Sequence, residues 1–166
     1  MVWADDAMDL ILWRHAEAQE ANAQDDRDSS AIDLARKLTS RGEKQSVRMA
    51  AWLDRQLPDG VRIWVSPAVR AEQTVLPLAR KYKLRSELAP GATVAQLLEV
   101  AQWPDGKGTV LIVGHQPTLG QTIAQLLGLN ANECVVRKGA VWWLRNRERL
   151  EQTQTVVVTV QSPDAL

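Results

Sequence analysis

The chain has 166 residues, 45% of them hydrophobic, with 20 basic and 20 acidic side chains and a formal net charge of zero. That is the length and composition of one soluble globular domain, and the charge balance speaks against a general nucleic-acid binder, which needs a basic excess. No apolar run approaches the roughly 18 residues of a membrane helix, and the single cysteine, Cys134, speaks against a disulfide framework and fits a reducing compartment. The expectation is one domain over residues 1–166, in the cytoplasm, with no nucleic-acid or membrane partner.

Residues 1–8 read as a frayed lead-in. They carry Asp5 and Asp6 and no base before Arg14, which does not suit a signal peptide. Asp9 to Trp13 is the first strand, apolar without alternation and therefore buried on both faces. Glu17 to Asp33 turns polar, with six acids (Glu17, Glu20, Asp25, Asp26, Asp28, Asp33) against one base, Arg27. It reads as a solvated surface loop. Ser40-Arg41-Gly42-Glu43 has the form of a capping box, and Thr39 is an equally good cap. The apolar spacing after it predicts a helix from about 40 to 57, ended by Pro58-Asp59-Gly60.

Val61 to Val65 is the second strand. Ser66-Pro67 has the form of an N-cap with proline at the first helical position, and predicts a helix towards Tyr82, bent near Pro77. Leu84 to Leu88 is a short strand. Thr93 caps a helix through Gln102. Thr109 to Val113 is the third strong strand, ending at Gly114-His115. A helix over Thr118–Leu127 stops at Gly128. Two final β runs, Ala140–Leu144 and Thr155–Val160, follow each other without a helix and suit an antiparallel hairpin. Strands alternating with helices predict an α/β fold, here a three-layer sandwich around a mainly parallel mixed sheet. Seven tryptophans and no phenylalanine give tryptophan the bulky core positions, as at Trp13 and Trp64.

The chemistry concentrates at strand ends. Both histidines follow strongly apolar strands, in Trp13-Arg14-His15 and Val113-Gly114-His115, and Arg70 follows the second strand in the first turn of the next helix. In a parallel sheet the carboxyl ends share one edge, where open α/β folds bind ligands. Topology therefore gathers Arg14, His15, Arg70 and His115. Arginine matches phosphate oxygens and keeps its charge, and the helix start at Ser66-Pro67 offers backbone N–H groups to an anion. Such a pocket suits phosphoryl transfer. Neighbouring arginines oppose protonation of a histidine, so one histidine can attack phosphorus while the other donates hydrogen bonds to its oxygens. The arginines neutralise the developing charge, so no metal or other cofactor is expected. There is no GxxxxGK[ST] loop and no GxGxxG, and Cys134, with Arg137 three residues on, does not form a CxxxxxR phosphatase loop and reads as a structural thiol.

These residues resemble the histidine phosphatase superfamily, which includes the phosphoglycerate mutases. Its opening Arg-His-Gly is Arg14-His15-Ala16 here. Its Ser-Pro-x-x-Arg-Ala-x-Gln-Thr run is matched throughout by Ser66 to Thr74, and its strand ending in Gly/Ser-His by Gly114-His115. Leu38 to Gly42 with Gln45 resembles a further segment. The likeness is greatest to the short SixA-type phosphohistidine phosphatases and implies a phosphoglycerate mutase-like fold. It makes His15 the phosphorylated nucleophile and Arg14, Arg70 and His115 the phosphate-binding clamp. Ala16 departs from the glycine of the motif. For the general acid the resemblance offers Glu87, with Glu17 as a second candidate.

The implied function is a metal-independent phosphatase working through a phosphohistidine intermediate on a phosphohistidine-bearing protein. The readings left open are a phosphatase of small sugar or nucleotide phosphates, and a phosphate-binding module without turnover. Arg70 and His115 lie only 45 positions apart, which leaves little chain for the helical lid that larger members insert there. A lidless site suits a side chain presented by another protein better than an enclosed metabolite.

Overall fold

Leu10 to Trp13 are fully buried because their strand has neighbours on both sides and helices over both faces. The computed structural model describes residues 7–166. Strand β1 (Met8–Arg14) pairs in parallel with β4 (Gly108–Gly114) and antiparallel with β5 (Val141–Arg149). β2 (Arg62–Val65) lies parallel to β4 on its far side, and the two-residue β3 (Lys83–Leu84) adds in parallel to β2. β6 (Gln152–Gln161) pairs antiparallel with β5, so the order is β3-β2-β4-β1-β5-β6. This is the expected mixed sheet, parallel in its first half and closed by the expected hairpin.

Alternation along the strands makes the layers. Ile11, Trp13, Ile63, Val65, Leu111 and Val113 share one core with Met49, Ala50 and Leu53 of α2 (Ser40–Gln56) and Ala71 and Val75 of α3 (Val69–Val75). Leu10, Leu12, Val110 and Ile112 share the other with Leu97 and Val100 of α4 (Val94–Ala101) and Leu119 and Ile123 of α5 (Thr118–Leu127). The fold is thus the expected three-layer α/β sandwich. Thr39, and not Ser40, caps α2, accepting the Gly42 N–H at 3.0 Å. Thr93 and Gln96 complete a capping box on α4, and Gly128 ends α5 with a left-handed φ of 65°. Trp13 is wholly buried and donates its Nε1–H to the Gly139 carbonyl, which bears out its core role. Trp64 is half-buried beneath the Arg85 guanidinium.

Several expectations need correction. Most of the lead-in over 1–8 lies outside the described residues, but Met8 opens β1 and is fully buried against α4. Ser66-Pro67 does not cap a helix. The Ser66 hydroxyl accepts the N–H of Ala68 in a turn, and α3 begins only at Val69, with no side-chain cap. That helix does not reach Tyr82: a 3₁₀ turn over Leu76–Leu78 contains Pro77, and Ala79 turns left-handed at φ 55°. The strand expected over 84–88 stops at Leu84 and gives way to a 3₁₀ turn over Ser86–Leu88. The expected loop 17–33 carries helix α1 (Ser29–Leu34), capped by the Asp28 carboxylate, which accepts from the Ala31 N–H.

Candidate active site

Three adjacent strand ends build the site. His15 leaves β1 with its N–H on the Gly114 carbonyl at 3.2 Å, and Ser66 leaves β2 with its N–H on the Val113 carbonyl at 3.0 Å. His115 follows β4 directly. The His15 and His115 ring centroids are 5.1 Å apart, tilted by 53°. Arg14 closes β1 and Arg70 is the second residue of α3. Topology thus brings the four expected residues together across a hundred positions.

Each is held by its surroundings. The Nδ1 of His15 lies 2.8 Å from the Ala16 carbonyl. A carbonyl only accepts, so Nδ1 carries the proton and Nε2 keeps a lone pair. Burial, then the charges of Arg70 and Arg14, push the His15 pKa down to about 4; the Ala16 bond only partly opposes this. Burial and the neighbouring His15 and Arg70 push His115 down to about 3. Both rings are therefore neutral at pH 7. The Ala16 N–H donates to Thr74 Oγ1 at 3.0 Å, and that hydroxyl donates to the Arg70 carbonyl at 2.7 Å, locking the first motif to the second. Among the described residues the non-glycine positions with positive φ are Ala79, Gln102, Leu150 and Glu151, so alanine at position 16 carries no left-handed strain.

The arginines are anchored from behind. Arg14 Nη1 donates to the Val136 carbonyl at 2.8 Å. Arg70, 4% exposed, donates to the Asp33 carbonyl at 2.7 Å and to its carboxylate at 3.2 Å. The other oxygen of that carboxylate accepts from Arg36 at 2.9 Å. Burial raises the Asp33 pKa, but the bonds from Arg36 and Arg70 outweigh this and leave it below the usual carboxylate range. Arg14 Nε, Arg70 Nε and His115 Nδ1 are buried without a hydrogen-bond partner. Buried polar atoms are nearly always paired, so three orphans among these four clustered residues suit a ligand rich in acceptor oxygens.

The two carboxylates expected as general acids stand differently. Glu87 is bound by Arg85 at 2.5 Å and by Ser86 at 3.1 Å, and the Arg85 bond holds its carboxyl below the usual range. No hydrogen bond described joins it to the four central residues. Glu17 gives its N–H to Gln45 Oε1, while its carboxylate accepts from Thr39 Oγ1 at 3.2 Å at the start of α2. Asp33, Arg36, Thr74 and the contact of Ser66 with His115 escape the sequence reading. Thr74 and Ser66 do lie within the second motif; Asp33 sits in the segment expected to be solvated loop. Among the described residues no three His, Cys, Asp or Glu side chains converge as metal ligands.

The profile of the histidine phosphatase superfamily (branch 1) matches residues 10–93. The chain is 34% identical over 138 residues to the phosphohistidine phosphatase SixA homolog of Haemophilus influenzae, covering 73% of this chain and 78% of that one. It is 33% identical over 127 residues to the phosphohistidine phosphatase SixA of Escherichia coli, covering 72% and 74%. The solved structure of the protein histidine phosphatase SixA complexed with tungstate superposes with a TM-score of 0.73 at 25% identity, over 95% of this chain and 99% of that one. Matching motifs, strand-end placement and overall fold agree, and the chain belongs to the histidine phosphatase superfamily.

Proposed function

We propose that this protein is a phosphohistidine phosphatase that removes the phosphoryl group from a histidine of another protein through a phosphorylated His15. The observation that carries the reading is the pairing of a neutral, Nδ1-protonated His15 with unpartnered buried nitrogens on Arg14, Arg70 and His115. The likeness to two phosphohistidine phosphatases of the SixA type supports the choice of substrate.

Arg14 and Arg70 receive the phosphoryl oxygens and neutralise their charge. His15 Nε2 attacks phosphorus as the bond from phosphorus to the substrate imidazole breaks, and the imidazole leaves with a proton from solvent. Water then attacks the phosphorylated His15, releasing inorganic phosphate and regenerating the neutral ring. The donors aimed at the phosphoryl oxygens favour the transition state, where charge accumulates on them. Imidazole, with a conjugate-acid pKa of about 6.5, departs with less help than an alkoxide, so a strong general acid is not demanded. Between Arg70 and His115 the chain forms only α3, two 3₁₀ turns, β3, α4 and β4, which supports a substrate presented from outside.

The test is a side-by-side comparison at one pH of a phosphohistidine-bearing protein domain, a phosphoserine peptide and 3-phosphoglycerate. The expected result is the highest kcat/KM on the phosphohistidine domain and no mutase activity. A clear preference for a small phosphoester would transfer the reading to small-metabolite phosphatase, and phosphate binding without turnover would leave a binding module.

A further inference from the structure

The Ser66 hydroxyl is fully buried, with two hydrogen-bond neighbours. One is the backbone N–H of Ala68, a donor, 3.2 Å away. The other is Nε2 of His115, at 2.7 Å. His115 is 5% exposed and its second ring nitrogen, Nδ1, is buried without a partner. A neutral imidazole carries one proton, so the ring has two choices, and they differ in what they leave unsatisfied.

If Nε2 carried the proton it would donate to Ser66 Oγ. That oxygen would then accept twice, and its own proton would be stranded in a buried place. Nδ1 would be a second buried atom left unsatisfied, a bare lone pair that would repel a phosphoryl oxygen. If Ser66 donates its proton to Nε2, the hydroxyl accepts from Ala68 and donates to His115, and is fully used. The proton of the ring then sits on Nδ1. The one unsatisfied group left is a buried N–H donor, which a phosphoryl oxygen satisfies. Stranding a buried polar group costs more than an ordinary hydrogen bond gains, so the second arrangement wins.

We propose that Ser66 is a positioning residue that fixes His115 as its Nδ1–H tautomer, so that the ring meets the phosphoryl group as a neutral donor. The role assigned to Nδ1 rests on the phosphatase reading above, but the tautomer itself does not. It gives the serine of the second motif a task other than capping a helix. It also sets the two histidines in matched tautomers for opposite work. His15, protonated on Nδ1 by the Ala16 carbonyl, turns a lone pair to phosphorus. His115, protonated on Nδ1 by Ser66, turns a proton to oxygen.

The experiment reads the tautomer directly, by long-range ¹H–¹⁵N correlation on the ligand-free, ¹⁵N-labelled full chain at pH 7. The chain has two histidines, so the spectrum of His15→Ala identifies the His115 signals. The expected result is a protonated Nδ1 and an unprotonated Nε2 on His115. In Ser66→Ala the ring should exchange between tautomers, and binding of inorganic phosphate should weaken by about tenfold, the worth of one hydrogen bond to a charged group. Ser66→Thr, which keeps the hydroxyl, should restore the wild-type ring signature. A protonated Nε2 in the wild type overturns the proposal, whether or not the variants fold. So does a Ser66→Ala protein whose His115 signals are unchanged. A wild-type spectrum as expected in a protein that shows no turnover would leave the tautomer standing and sink the phosphatase reading.

Discussion

Asp33 and Arg70 lie 37 positions apart in the chain, yet meet through two bonds: the Asp33 backbone carbonyl accepts from Nη1 at 2.7 Å and its carboxylate from Nη2 at 3.2 Å. The two bonds do different things. The shorter one, to a backbone atom, fixes where the guanidinium lies and survives any substitution of the side chain. The longer one sets a negative charge beside an arginine expected to hold phosphate. A unit charge ~8 Å from an anion is worth roughly 0.5–2 kcal/mol between effective dielectric constants of 80 and 20. Asp33→Asn should therefore bind inorganic phosphate more tightly, by about twofold to thirtyfold, with the gain shrinking as salt is added. Titration of the variant with phosphate at low and high ionic strength checks this. Weaker binding would mean that the carboxylate is needed to orient Arg70.

The expected nucleophile gives a sharper contrast. On the proposed mechanism His15→Ala removes the atom that accepts the phosphoryl group, so turnover should fall by orders of magnitude while phosphate still binds on the arginines. Arg70→Ala removes a charge that acts in both ground and transition states, and should raise KM and lower kcat together. Steady-state kinetics with phosphate binding on both variants separates these patterns. Near wild-type turnover in His15→Ala would remove it from the chemistry.

What the sequence displays and what it hides divide along physical lines. Arg14, His15 and His115 were legible because an unbroken apolar run marks a buried strand, and parallel strands share one functional edge. Arg70 was legible from its place in the first helical turn after the second strand, and again from its motif. Asp33 was not. Its helix α1 has six residues and none of them buried, so no apolar periodicity betrays it, and its meaning lies in a contact with a distant helix. The full length of β5 and β6 was hidden for another reason. They join through Leu150 and Glu151, at φ 51° and 64°, where a tight hairpin ordinarily takes asparagine and glycine. Ser66-Pro67 misled because the serine hydroxyl serves a turn and a histidine where the pattern suggests a helix cap.

The two histidines should make the protein sensitive to acid. An unfolded histidine titrates near 6.5, while His15 and His115 are held down to about 4 and about 3, mainly by burial. As pH falls through this interval the unfolded chain takes up protons that the native rings refuse. Stability is therefore retained near neutral pH and lost as pH falls from about 6.5 towards about 4. For His15 that loss is on the order of 3 kcal/mol. His15→Ala should lose less stability than the wild type between pH 7 and pH 4.5, as read by urea midpoints along the pH series. Parallel curves for the two proteins would show that His15 titrates normally.

Gly42 tests the packing behind His15. A Cβ built there would lie 2.0 Å from the Glu17 carbonyl oxygen, and Glu17 is two residues from His15. The obstacle is backbone, so no side chain can rotate away. Either α2 or the 15–17 segment must shift. Gly42→Ala should destabilise the fold by about 2 kcal/mol or more, the scale of an overpacked core, and should lower kcat because His15 moves with its neighbours. A melting temperature and kcat equal to the wild type would mean that the segment yields freely and does not hold His15.

Glu87 decides how much acid catalysis the reaction uses. Arg85 and Ser86 bind its carboxylate, and the Arg85 bond holds the carboxyl below its usual range, so at neutral pH it carries no proton to give. A general acid must be protonated at the working pH and within reach of the leaving atom. Glu87 meets the first condition poorly, and its described hydrogen bonds run to Arg85 and Ser86 and to neither histidine. The substrate makes the same point: an imidazole leaves readily, whereas an alkoxide from a phosphoserine needs a proton as it departs. Glu87→Gln should therefore keep kcat on a phosphohistidine domain within about twofold of wild type, a change too small for a lost general acid, whose removal costs about a hundredfold or more. Arg85→Ala, which frees the carboxylate, should do as little on that substrate. A drop of a hundredfold in Glu87→Gln, together with loss of the basic limb of the pH–rate profile, would make Glu87 the proton donor and require its carboxylate to leave Arg85 when substrate binds.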